Sequence, residues 1–192
     1  MNRRELLKMV AAATGGVVIG GEFFLAGCKN PEAGIGSSAT FSESDIAFLD
    51  EVAETIFPKT ATPGAKDAKV GQFMNVMVTD CYEQKDQDAF RAGMKSINEA
   101  CEKMHKHGFM KATAEQRTEL LVALDKERKD YQKNKKKEDP NHFFQPFKQL
   151  TIMGYFTSKE GRMGATNYQP VPGKYQGDVP YKKGDKIVTG LS

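Results

Sequence analysis

The chain has 192 residues, with 28 Lys and Arg against 25 Asp and Glu and a formal net charge of +3. So small an excess leaves no electrostatic footprint for nucleic acid, and the length allows one domain with a real core. There is no tryptophan, and the three cysteines carry none of the spacing of an iron–sulfur site.

Arg3-Arg4-Glu5-Leu6-Leu7-Lys8 opens the chain, an apolar stretch runs from Met9 to Gly21, and Leu25-Ala26-Gly27-Cys28 comes next. A charged start, a short apolar middle and a small-residue end make an export signal rather than a piece of fold. Arg3, Arg4, Leu6, Leu7 and Lys8 resemble the twin-arginine address of a bacterial route that carries proteins already folded. Gly15, Gly16, Gly20 and Gly21 dilute the apolar stretch and Glu22 interrupts it. It falls short of the roughly 20 apolar residues a membrane helix needs, which suits the folded-protein route. Leu25 to Cys28 looks like a lipobox, so Cys28 is expected to be lipidated and to begin the mature chain. Residues 1–27 are therefore read as signal. Residues 28–40, rich in Gly, Ser, Ala and Pro, read as a flexible tether, and the expected location is the periplasm, lipid-anchored to a membrane of the envelope.

Residues 41–160 read as a helical domain. Ser42 caps the first helix with Asp45 at the reciprocal third position, and Phe41 is placed to staple onto Ile46. Ile46, Leu49, Ala53 and Ile56 share a face, and Phe57-Pro58 ends the helix. Thr62-Pro63-Gly64 marks a turn. A second helix is expected from about Val70 to Tyr82, with Val70, Phe73, Met74, Met77, Val78 and Cys81 inward. A third runs from about Asp86 to Lys106, with Phe90, Met94, Ile97, Cys101 and Met104 inward and Gly108 placed to stop it. Its methionines read as core packing rather than as a metal or soft binding groove.

Thr113 and Gln116 form a capping box for a fourth helix, with Leu120, Leu121 and Leu124 as its core. Lys133 to Lys137 then breaks the apolar pattern and reads as a solvated loop, contact with anionic lipid being the alternative. Asp139-Pro140 looks like the cap and first-turn proline of a fifth segment, with Pro146 as a break and a clean helix only beyond it. Phe143, Phe144, Phe147, Leu150, Ile152, Met153, Tyr155 and Phe156 make this the most apolar stretch after the signal. Gly154, among apolar neighbours, predicts close approach of another backbone. From Gly161 no period is visible, and residues 161–192 read as an irregular arm, disordered or laid along a partner. The fold class is all-α, an irregular bundle of about five helices with that extended arm.

No catalytic constellation stands out. There is no Gly-x-Gly-x-x-Gly and no Cys-x-x-Cys-His. His105 and His107 fall on opposite faces of a helix, and all three histidines read as surface groups. Cys81 and Cys101 could pair in an oxidising compartment. Antiparallel packing of consecutive helices would set them roughly 20 Å apart along the axis, where a disulfide needs about 7 Å between Cα atoms. Two buried thiols are expected instead.

Phe48 to Pro58, with Thr62-Pro63-Gly64-Ala65 after it, resembles the opening of the gluconate 2-dehydrogenase subunit 3 family. Leu150 to Gly161 resembles the family's closing motif. Tyr168 with Pro172-Gly173-Lys174-Tyr175-Gln176-Gly177 is similar to the family's segment beyond that motif. The resemblance implies a small non-catalytic subunit that carries the export signal for a periplasmic dehydrogenase and supports its assembly. In the family the large partner is a glucose-methanol-choline-type flavoprotein oxidising sugars or sugar acids, with electrons often passing to a cytochrome c subunit. This chain is then expected to hold no cofactor or metal of its own, FAD residing in the partner. Gly154, Tyr155, Tyr168 and Tyr175 are the expected partner contacts. A lipoprotein binding module with no enzyme partner is the rival reading.

Overall fold

The computed structural model describes residues 41–190 apart from 172, 175 and 176. The expectations for Arg3, Arg4, Leu6, Leu7, Lys8, Cys28, the tether and Tyr175 lie outside the described residues. Those residues form six α-helices, a single 3-10 turn and two very short strands, a mostly helical fold as expected.

Helix α1, Glu43–Ile56, begins with the expected box: Ser42 Oγ accepts from the Asp45 amide and Asp45 from the Ser42 amide at 2.9 Å. It packs against three other helices, so its inward face is wide. Phe48, Leu49, Val52 and Ala53 are fully buried, whereas Ile46 and Ile56, expected inward, are only half-buried at the margins. The ring of Phe41 meets Phe90 edge-on at 6.1 Å and lies under the Arg91 guanidinium.

The loop after α1 is tightly organised. Glu54 accepts from the Lys59 and Lys66 amides, Asp67 accepts from the Gly64 amide, and Asp50 accepts from the Gly71 amide. A side chain at Gly64 would run into the Glu54 carboxylate. Lys69 then takes a left-handed conformation (φ 52°) to launch α2, Val70–Cys81. Met74 and Val78 fill the core and Phe73 and Met77 flank it. Cys81, expected inward, is exposed, because the helix stops there and turns its last residue out; Cys101 is buried as expected, and both thiols are free.

Helix α3, Gln84–His105, buries Phe90, Met94, Ile97 and Cys101. It ends at Lys106, whose φ of 65° turns the chain before Gly108 is reached. Met104, expected inward, is consequently 44% exposed. The same turn brings His105 and His107 together, their rings stacked at 6.2 Å, instead of leaving them on opposite faces. Gly108 instead sits against Asn98, whose side chain accepts from the Phe109 amide. This sets the 3-10 turn Phe109–Lys111, which buries Phe109 completely and which is too short to show in any hydrophobic period.

Helix α4, Ala114–Asn134, carries the Thr113–Gln116 box and buries Leu120, Leu121 and Leu124 as expected. Helix α5, Phe144–Thr157, begins later than Asp139-Pro140. Asp139 is spent on the preceding turn, accepting from the Lys136 amide. His142 is the residue at the start of α5: it is 8% exposed, its Nδ1 accepts from the Phe144 amide, and its ring lies between Tyr131 and Phe143. It is no surface histidine. Pro146 falls in the first turn, where its missing N–H costs nothing.

The chain does not lose regular structure at Gly161. Helix α6, Lys159–Ala165, comes at once, with Ser158 both ending α5 and capping α6 by accepting from the Gly161 amide at 2.9 Å. A side chain at Gly161 would overlap the Tyr155 carbonyl. Beyond α6, β1 (Asn167–Tyr168) pairs in parallel with β2 (Val188–Thr189). This pairing ties the described end of the expected arm back to its start.

Candidate partner interface

Two of the expected contact residues are taken up inside the chain. Gly154 is buried, and a methyl group there would sit 2.6 Å from the Phe73 ring. The close neighbour is therefore a ring of α2 and not another backbone. Tyr155 is 1% exposed, stacks on Phe57 at 4.7 Å with an interplanar angle of 13°, and donates to the Pro63 carbonyl at 2.7 Å. Neither presents a surface to a partner, because the packing of α5 on α1 and α2 consumes it. Tyr168 is half-buried in β1 with the Arg162 guanidinium 5.0 Å from its ring.

The opposite side of α5 is bare. Ile152, Met153 and Phe156 are 41%, 46% and 38% exposed; with Gln149 they follow the i, i+3, i+4, i+7 spacing of one helix face. A helix apolar on every side belongs in an interior, yet α5 shows this flank to solvent. Phe156 is fixed there by edge contacts with Phe57 and Tyr155, both between 5 and 6 Å. The sequence carries the sign of this face, since these residues cannot all point into one core. One turn into α6, Met163 is 62% exposed.

Electrostatics elsewhere are those of a scaffold. Glu51 bridges Lys66 and Arg117, and Arg117 also donates to the Phe109 and Met110 carbonyls, clamping loop, 3-10 turn and α4 to α1. Burial alone would raise the Asp125 carboxyl, but hydrogen bonds from Lys148, Lys129 and Arg128 hold it well below the usual carboxylate range. Burial pushes the Asp50 carboxyl up against the pull of the Gly71 amide, and pushes up the Cys101 thiol. A groove of about 410 Å³ between α1, α4 and α5 is floored by Ile56, Leu121 and Phe144, with Lys126, Lys129 and Lys148 on its rim.

Among the described residues no three His, Cys, Asp or Glu side chains are placed to hold a metal, and no helix is long and apolar enough to cross a membrane. The described strands are two residues long and provide no strand–turn–helix unit of the kind that receives a dinucleotide.

Residues 43–173 match the family model described as gluconate 2-dehydrogenase subunit 3. The searches of curated proteins and of solved structures each give no match.

Proposed function

The chain belongs to the gluconate 2-dehydrogenase subunit 3 family, and we propose that it is the non-catalytic subunit that escorts, assembles and anchors a periplasmic FAD-dependent dehydrogenase. The family name makes it one component of a dehydrogenase complex. The finer reading assigns flavin and substrate oxidation to a glucose-methanol-choline-type partner acting on sugars or sugar acids, with a cytochrome c subunit as the next carrier. This chain supplies the address on Arg3, Arg4, Leu6, Leu7 and Lys8, a lipid on Cys28 as the membrane tether, and a helical surface for docking.

The observation that supports docking most directly is the outward stripe of α5. Ile152, Met153 and Phe156 are held on a rigid helix by the Phe57–Tyr155 stack behind them, and a preorganised apolar surface of this kind loses little on association. Large apolar side chains at the centre of such a surface carry most of its binding energy.

The test is co-purification of the full chain with its dehydrogenase after Met153→Lys combined with Phe156→Glu. Both side chains are already part-exposed, so the helical content should persist while pairing weakens by tenfold or more. Pairing at wild-type strength by the folded variant would remove this face from the interface.

A further inference from the structure

The arm beyond α6 is tied at its base and bare along its wall. At the base, Asn167 donates to the Ile187 carbonyl at 2.9 Å and Gln169 to the Thr189 carbonyl at 2.7 Å. The Thr166 and Thr189 hydroxyls meet at 2.8 Å, and Lys186 Nζ reaches the Gly164 carbonyl at 2.6 Å. Gly164 lies against Pro63, where a methyl group would sit 2.5 Å from the proline ring, so this base is fastened to the helical body. Along the wall, Val171, Val179, Tyr181, Ile187 and Val188 are 79%, 60%, 72%, 70% and 53% exposed. Side chains of that size are normally gathered away from water, and a cluster of them bare on one segment marks an interaction site. Two strands of two residues are also well below what independent sheet stability requires.

We propose that this arm is a clamp that closes around an apolar, acidic projecting segment of the dehydrogenase's large subunit. The proposal rests on the reading of the chain as a subunit and specifies how it grips. The size of the hollow selects the occupant. It is open to solvent and measures about 1510 Å³, well above the roughly 300–1,000 Å³ of small-molecule sites, so a loop or hairpin fills it where a metabolite would leave it wet. Charge selects the chemistry. Residues 166–190 carry Lys174, Lys182, Lys183 and Lys186 against Asp178 and Asp185, so the wall is apolar with a cationic excess. Its complement is apolar with carboxylates. Chain order favours the same partner: Met163 lines the hollow from α6, which follows α5 directly through Ser158. Most of the clamp, from Lys174 on, lies beyond the matched residues 43–173.

The test uses the full chain co-expressed with its dehydrogenase, in two measurements. Tyr181→Asp with Ile187→Asp should weaken pairing at least tenfold while leaving the helical circular dichroism unchanged. Amides of residues 177–189 should exchange with deuterium at least tenfold more slowly in the complex than in the free chain. Wild-type pairing by the double variant, or exchange in the arm unchanged by complex formation, overturns the clamp and leaves the subunit reading standing. A wild-type chain that captures no dehydrogenase overturns both.

Discussion

Tyr155 donates its hydroxyl to the Pro63 carbonyl 2.7 Å away, joining residues 92 positions apart in the chain. The two segments it connects are those whose residues resemble the family's opening and closing motifs. They meet again where Phe57 stacks on Tyr155. The motifs therefore describe one packed joint. Tyr155→Phe keeps the stacked ring and removes the donor, which should cost about 1 kcal/mol and lower the melting temperature by about 2–4 °C for a chain of this size. A calorimetric melt checks it; an unchanged Tm would mean that the bond contributes nothing beyond the stack.

How much of this could be read in advance depends on the range of the interaction. The Ser42–Asp45 and Thr113–Gln116 boxes are chemistry within four residues, and both form where the spacing places them. The stop of α3 at Lys106 instead of Gly108 depends on Asn98 holding the Phe109 amide eleven residues away. His142, alone in the sequence, accepts from the Phe144 amide at the start of α5 while its ring meets Tyr131 and Phe143. Ile152, Met153 and Phe156 were legible as apolar but not as outward, since a helix apolar all round has no face that its own pattern selects. The strand pair of the arm spans about twenty residues and has too few positions to show any period.

A second prediction concerns Gly154. A methyl group there meets the Phe73 ring at 2.6 Å, so Gly154→Ala should destabilise by about 1–3 kcal/mol, the usual cost of overpacking. Phe73→Leu removes the obstructing ring atoms, and the double substitution should be less destabilised than the two single effects summed. Strict additivity in urea melts of the four proteins would show that the contact does not restrict position 154.

Asp125 gives the protein an acid-sensitive element. Its folded-state carboxyl titrates well below the unfolded value of about 3.9, so the stabilisation is fully present above about pH 5. It is lost as the pH falls through the unfolded value toward the lower folded one. Asp125→Asn should cost about 1.5–3 kcal/mol at pH 7, the range of hydrogen bonds to charged groups. The gap from wild type should narrow at pH 3. Equal gaps at both pH values would place the effect in packing instead of charge.

The export reading makes a sharper demand. Arg3→Lys with Arg4→Lys keeps the charge but replaces the guanidinium fork. On the escort reading it strands this chain and its flavoprotein together in the cytoplasm, with FAD still bound to the partner. Cell fractionation with an assay of dye-linked dehydrogenase activity checks it. A partner found in the periplasm as usual would reduce the subunit to a structural addition.

The reach of the Tyr155–Pro63 joint also sets a schedule. At about 5–20 residues per second, the ribosome delivers Pro63 roughly 5–20 s before Tyr155, counting the 92 residues between them. Through that interval the apolar faces of α1 and α2 have no α5 to cover them, while the arginines near the N-terminus have already emerged. On the export reading, the address is then legible before the cargo is complete. If the route admits only folded cargo, it responds to the last helices made, and closure of this joint is the step that readies the chain.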